Sequence, residues 1–143
     1  MTLLELFIVI AVAGVLASIA VPTYQSAVQK TKVTLAVADI LKISLQIQRY
    51  NTVNNAFPAT LADINMDTML DPWGNPYQYL SFAGLKGKGK MRKDKNLVPI
   101  NTQFDLYSMG KDGQSKPPLT AAPSRDDIVM ANDGAYVGLA ADY

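Results

Sequence analysis

The chain has 143 residues, of which 49% are hydrophobic, and a formal net charge of +1. This length suits one modest domain in addition to a hydrophobic segment, and the near-neutral charge argues against general nucleic-acid binding. The sequence contains no cysteine and no histidine. It therefore excludes a disulfide framework, a thiolate metal site and every catalytic arrangement that uses imidazole or a thiol.

The chain opens with the apolar run MTLLELFIVIAVAGVLASIAVP, whose one charged side chain is Glu5. As a helix, the part from Leu3 to Val21 would reach about 29 Å, which is one membrane span. A secretory signal peptide is the alternative, but no basic residue precedes the run and no A-x-A cleavage pattern follows it. We interpret residues 1–24 as a transmembrane helix half and expect that a leader has been removed just before Met1.

Helical periodicity continues through residues 25–53, the amphipathic half of the same helix. At 100° per residue, Lys32, Asp39, Lys42, Gln46 and Arg49 share a narrow polar stripe. One apolar face carries Val33, Val37, Ile40, Ile43 and Ile47, and a second carries Leu41 and Leu45. A helix that covers one side of a sheet needs only a single apolar stripe. The second face therefore predicts burial against other subunits, although deep burial within one monomer is the alternative.

Gly14 and Pro22 both disfavour a regular helix. Glycine costs about 1 kcal/mol relative to alanine in a helix, and proline removes a backbone donor and clashes with the preceding turn. We expect the helix to kink or unwind between them. The alternative is that both are ordinary residues of a membrane helix, where they are common.

The segment TLLELFIVIAVAGVLASIAVPTY, with Glu5, Gly14 and Pro22, resembles the N-terminal signature of type IV pilins and type II secretion pseudopilins. The resemblance implies cleavage by a prepilin peptidase just before Met1 and methylation of the new amino terminus, although the family most often has Phe at this position. It also implies assembly by inner-membrane machinery, with minor pilins or pseudopilins, into a homopolymer. The location would be the inner membrane before assembly and a periplasmic or extracellular filament afterwards.

This resemblance gives Glu5 a physical role. In a dry bundle of helices, its carboxylate can pair with the α-amino group of Met1 on a neighbouring subunit. Leaving either charge alone would be heavily penalised, which favours one axial register over others. Glu5 is thus expected to set the register of subunits and not to catalyse a reaction.

Residues 54–143 are expected to form a globular region of sheet and loops. YQYLSF and TQFDLYSM have the alternation and aromatic content of strands, and two or three antiparallel strands would back the helix. LDPWGNPYQY is rich in turn-forming residues around Trp73, which we expect to fill the core. This block and FDLYSMGKDG also resemble motifs of the major pseudopilin of type II secretion. The expected fold is α+β and pilin-like: a long N-terminal helix packed on a small antiparallel sheet.

The stretch GLKGKGKMRKDKN lies between those two strands and is strongly basic. It contains Lys86, Lys88, Lys90, Arg92, Lys93 and Lys95. It has no interleaved aromatic residue, so base stacking is not indicated. It is either a solvated hairpin loop or a basic fringe on the filament surface that contacts anionic polysaccharide, DNA or the next subunit.

Acidic residues are concentrated farther on, in SMGKDGQSKPPLTAAPSRDDIVMANDG. Carboxylate and carbonyl oxygens suit Ca²⁺, but the spacing does not match an EF-hand. The likeness to major pseudopilins implies one Ca²⁺ ion held by Asp112, Asp126 and Asp127, with carbonyl groups from Met109 and near Ser115. The alternative is that these aspartates only form turns and caps, with Asp126 capping a short helix that starts at Ile128.

The sequence fits three classes of function to different degrees. A structural subunit of a type IV-like filament explains the N-terminal signature, the two apolar helix faces and the lack of catalytic residues. A membrane-anchored enzyme would have only loop aspartates to work with, and a monomeric receptor would leave one helix face unexplained. Within the filament class, the DPWGNPYQY block and the absence of cysteine favour a secretion pseudopilus, with an extracellular pilus as the alternative.

Overall fold

The computed structural model describes the whole chain, Met1 to Tyr143. One helix, α1, spans Leu3–Asn54 and includes Pro22. It begins after Thr2, whose hydroxyl accepts a hydrogen bond from the Glu5 amide at 3.2 Å, the usual device for capping a helix. It ends where Asn55 adopts a positive φ of 51°, because a left-handed residue cannot continue the helix.

The chain divides into two compact units, residues 1–32 and 33–143. The first unit is purely helical, and every residue from Met1 to Ala27 is exposed. By length and composition α1 is able to cross a membrane, with a mean hydropathy of 2.6 over its most apolar 18 residues. The division into three segments suggested by the sequence, with boundaries after residues 24 and 53, stays a prediction.

The second unit contains a four-stranded antiparallel sheet in the order β1-β2-β3-β4. The strands are β1 (Gln78–Ser81), β2 (Phe104–Ser108), β3 (Ile128–Ala131) and β4 (Tyr136–Leu139). The predicted α+β fold and its first two strands are confirmed. The expected number of two or three strands was too low, and Asp126 caps no helix, because Ile128 begins β3.

The main core lies between the second half of α1 and one face of the sheet. Ala36, Ile40, Ile43 and Ile47 of the helix are fully buried. They form one cluster with Phe104 and Leu106 of β2, Ile128 and Met130 of β3, and Leu61 and Tyr77. The Tyr77 hydroxyl donates to Asp39 of the helix at 2.9 Å. The first apolar face predicted for α1 is therefore the one that packs on the sheet.

The opposite face of the sheet is also covered. A second cluster joins Val129 and Ala131 of β3 to Ile100, Leu119 and Ala140. Because side chains alternate along a strand, the residues between those of the first cluster point to this face. The face is covered by the long connections on either side of β2, and it includes the buried carboxylate of Asp105.

The DPWGNP block folds as a turn that docks against the end of β2. The buried carboxylate of Asp71 accepts the amides of Trp73 and Asn75 and the hydroxyl of Ser108. The side chain of Asn75 donates to the carbonyl of Gly110 at 3.0 Å. Trp73 is partly buried and packs against the main core, so the two blocks that resembled major pseudopilin motifs are in contact.

Candidate assembly helix and C-terminal loop site

At the start of α1, Glu5 completes a capping arrangement with Thr2. Its carboxylate accepts the Thr2 amide at 2.6 Å and the Thr2 hydroxyl at 3.0 Å. The spacing T-x-x-E is that of a capping box, in which the two residues satisfy each other's backbone donors. Within a single chain Glu5 therefore has a local structural role. Pairing with Met1 of another subunit stays a prediction.

The segment between Gly14 and Pro22 is helical throughout in the single chain. A side chain at Gly14 would meet no atom within 4 Å, so the glycine has no steric reason within this chain. Pro22 has no N–H to donate to the preceding turn. The Thr23 hydroxyl donates to the Ile19 carbonyl at 2.9 Å. Loss of helix here in an assembled filament stays a prediction.

The second apolar face of α1 remains exposed alongside the buried one. Leu41 and Leu45 are 49% and 54% exposed. Farther along, Leu45 and Val53 line a shallow, mostly apolar depression with the stems of Gln48 and Arg49. Contiguous exposed apolar surface of this kind marks contact with a protein or a membrane.

The three aspartates proposed as calcium ligands have separate partners. Asp112 is exposed, and its carboxylate accepts the Gln114 amide at 2.8 Å. Asp126 accepts the Asp112 amide at 3.0 Å. Asp127 is fully buried and accepts the Ser115 hydroxyl at 2.5 Å. No three acidic side chains in the chain converge as a metal site.

Arg92 occupies the space in front of Asp127. Its guanidinium forms a salt bridge with the Asp127 carboxylate and donates to the Ser115 hydroxyl and, at 2.8 Å, to the Lys116 carbonyl. The same group lies over the ring of Tyr107, 4.2 Å from its centroid. Arg92 is 3% exposed. The prediction that all six basic side chains lie on a solvated loop is thus wrong for Arg92.

Asp105 anchors the backbone of the same arginine. Its carboxylate accepts the Arg92 amide at 2.6 Å and the Asn101 side-chain amide at 3.1 Å. The backbone of the next residue, Lys93, forms two hydrogen bonds with the loop that follows Ser115. Its amide donates to the Pro117 carbonyl, and its carbonyl accepts the Leu119 amide. The end of the basic stretch is therefore fixed to the proline-rich loop.

Burial dominates the electrostatics of the two carboxyl groups that contact Arg92, those of Asp105 and Asp127. It raises the pKa of Asp127 to about 6, against the lowering effects of the Ser115 hydroxyl and the Arg92 guanidinium. Burial also raises the pKa of Asp105, and the Arg92 amide, Asn101 and the Arg92 charge oppose it. Each carboxyl group would be costly to keep ionised without a nearby cation and donors.

The acceptors around Arg92 fit a guanidinium and do not fit Ca²⁺. Calcium takes six to eight oxygen ligands, several of them carboxylates, whereas Asp127 supplies the one carboxylate that contacts the Arg92 guanidinium. A divalent ion placed against it would also meet the positive charge of Arg92. The calcium site stays a prediction, and this geometry argues against it.

The exposure of the other basic side chains is compatible with both a solvated loop and a basic fringe on a filament surface. Lys86, Lys88, Lys90 and Lys95 are exposed, and Lys93 is partly buried. Lys88 donates to the Val98 carbonyl at 3.3 Å, within the same connection. Nothing in this arrangement identifies an anionic partner.

Sequence reasoning missed Arg92, Asp105 and Tyr107 as parts of one buried site. A usable signal was present for Asp105, because it lies inside the strand pattern TQFDLYSM, where a charge in a covered strand requires a partner. Arg92 was also the one arginine among lysines in its stretch. Arginine suits buried ion pairs because its planar fork matches a carboxylate.

A long apolar helix continuing into a helix packed on a small antiparallel sheet defines a pilin-like protein. No protein-family model matched the chain, and neither did any solved structure. Curated relatives did match. Type II secretion system core protein G of Pseudomonas aeruginosa is 34% identical over 134 residues, covering 79% of this chain and 83% of the relative.

Proteins with the same name from other bacteria are similar over the same extent. The Aeromonas hydrophila protein is 33% identical, covering 80% of this chain and 83% of its own length. The Vibrio cholerae protein is 29% identical, covering 79% and 80%. The chain belongs to the family of type II secretion system core protein G, the major pseudopilins.

Proposed function

We propose that this chain is the major structural subunit of a type II secretion pseudopilus and that it polymerises through α1. The observation that supports the proposal is the amount of unpaired apolar helix surface. Residues 1–27 are exposed throughout, and the face formed by Leu41 and Leu45 is uncovered as well. A membrane can cover the first part before assembly, and helices of neighbouring subunits can cover both parts afterwards.

Glu5 is proposed to set the register of the polymer. A carboxylate that moves from the membrane interface into a bundle of apolar helices needs a cation, and the α-amino group of Met1 on a neighbouring subunit is a suitable partner. The capping contact with Thr2 holds the carboxylate near the helix start before that pairing. The proposed processing of the chain, prepilin peptidase cleavage followed by methylation, would act on Met1.

The segment between Gly14 and Pro22 is proposed to lose its helical hydrogen bonds on assembly. Glycine has low helix propensity, and proline already lacks one donor, so unwinding costs less here than elsewhere in α1. The test is a filament structure determined at a resolution that traces the main chain. Continuous α-helical bonding through this interval would contradict the proposal.

An extracellular pilus or related surface fibre is the second candidate, and the exposed lysines of the basic stretch favour it because they could contact anionic surfaces. The experiment is to delete the gene in its native host and to measure exported proteins and surface fibres in parallel. Loss of export without loss of fibres supports the pseudopilus. Loss of fibres with normal export supports the pilus and contradicts our proposal.

The chain is not proposed to be an enzyme. Its family consists of secretion-system pseudopilins, and no catalytic residue is assigned. Its partners are proposed to be further copies of itself, the prepilin peptidase, the inner-membrane assembly machinery and minor pseudopilins.

A further inference from the structure

The guanidinium of Arg92 joins three oxygen groups of kinds that also act as ligands of Ca²⁺ in proteins. It contacts a carboxylate (Asp127), a hydroxyl (Ser115) and a main-chain carbonyl (Lys116). These groups belong to the two sides of one long loop, which carries three prolines between Lys116 and Ser124. We propose that Arg92 is the cation that closes this loop, and that the folded domain therefore needs no Ca²⁺ there.

Arg92 is held in place independently of Asp127. Its amide donates to Asp105 at 2.6 Å, and its carbonyl accepts the Ile100 amide at 3.1 Å. Its guanidinium also lies over the Tyr107 ring, a cation–π arrangement that arginine favours. Because the strand, the ring and the backbone all fix the arginine, the loop is attached to a rigid part of the sheet.

The remaining unpaired atoms of the site agree with an ion pair. Two buried atoms lack a partner, Nε of Arg92 and Oδ1 of Asp127. One is a donor and the other is an acceptor, and both belong to the same pair. A small rotation would convert the contact into the two-pronged arginine–carboxylate geometry.

The acidic neighbours do not supply a second cation site. Asp126 and Asp112 are each engaged by a backbone amide of the Gly110 to Gln114 turn. Gly110 has a φ of +63°, and an added Cβ would lie 2.2 Å from the Asp126 carbonyl oxygen. The main chain of Gly110 therefore packs directly against the main chain of Asp126, and this contact leaves no room for a side chain at position 110.

The experiment is thermal unfolding of the full chain in detergent, followed by the fluorescence of Trp73, the chain's one tryptophan. Wild type is measured in millimolar CaCl₂ and in EGTA. We expect the two melting temperatures to agree within about 1 °C, because a ligand raises stability only if the folded state binds it. A melting temperature that rises with CaCl₂ and falls with EGTA would overturn the proposal.

Two substitutions complete the test. Arg92→Met keeps the length of the side chain but removes the cation, and we expect a fall in melting temperature of about 10 °C or more. Lys90→Met makes a similar change at an exposed position of the same basic stretch and should shift the melting temperature by less than about 2 °C. Equal effects of the two would contradict the proposal. If Arg92→Met does not fold, the wild-type comparison with CaCl₂ and EGTA still decides it.

Discussion

We expect the buried apolar face of α1 to determine the stability of the single chain and the exposed apolar face to determine assembly. Ile43 is 0% exposed in the core, whereas Leu45, two residues later, is 54% exposed. Truncating a buried isoleucine to alanine costs about 2–5 kcal/mol. For a domain of this size that corresponds to a fall of about 10 °C or more in melting temperature. Leu45→Ala should change the stability of the single chain by less than about 0.5 kcal/mol.

Assembly should respond in a different way. Fully burying a leucine side chain is worth about 1.5–3 kcal/mol, and Leu45 has about half of its surface still to bury. Leu45→Ala should therefore weaken each subunit contact by about 1 kcal/mol, repeated at every subunit. The yield of sedimentable polymer from cells that overproduce the protein measures this effect.

Thermal unfolding in detergent gives the matching measurement of stability for both variants. The reasoning predicts a stable Leu45→Ala chain that polymerises poorly. It would be refuted if Leu45→Ala lowered the melting temperature as much as Ile43→Ala. Normal polymer yield from a Leu41→Ala/Leu45→Ala double variant would also refute it.

Two further predictions concern the loop site. Gly110→Ala should destabilise the domain by more than about 2 kcal/mol, because the added Cβ would collide with the Asp126 carbonyl. Gly87 also has a positive φ but lies in open space, so Gly87→Ala should cost less stability. Chemical denaturation measures both variants. The stability that a protonated Asp127 contributes is lost as the pH rises from 3.8 through about 6. Arg92→Met removes the cation beside Asp127 and so raises the pKa of Asp127 in the folded state further. The difference in melting temperature between wild type and Arg92→Met should therefore grow from acidic to slightly alkaline pH. A difference that stays constant with pH would exclude a coupling between Arg92 and the ionisation of Asp127.

The features that sequence could predict are those with local signals. The apolar run with Glu5 and Pro22, and the 3.6-residue periodicity of the second half of α1, are visible within short windows. The buried set Ile40, Ile43 and Ile47 followed from this periodicity. β1 and β2 were also predictable, because alternation and aromatic residues distinguish them from the turns around them.

The features that were missed depend on contacts between distant residues. Arg92 and Asp127 are 35 positions apart, and no local pattern distinguishes a buried arginine from the exposed lysines beside it. β3 and β4 have four residues each and lie in a region whose prolines and glycines indicate loops. β4 pairs with β3, and β3 pairs with β2. Tertiary pairing decided their conformation.

The central claim is that the chain polymerises through α1 with the charge of Glu5 buried against another subunit. Its most direct test is the yield of sedimentable polymer from Glu5→Gln. Glutamine can still accept the Thr2 amide in a capping box, so helix formation is preserved while the charge is removed. Thr2→Ala is the control, since it removes the capping hydroxyl and keeps the charge.

We predict that Glu5→Gln inserts into the membrane and folds as wild type does, because the change makes the apolar segment less polar, yet yields little polymer. Thr2→Ala should give much more polymer than Glu5→Gln. Polymer from Glu5→Gln at the wild-type level would contradict the account.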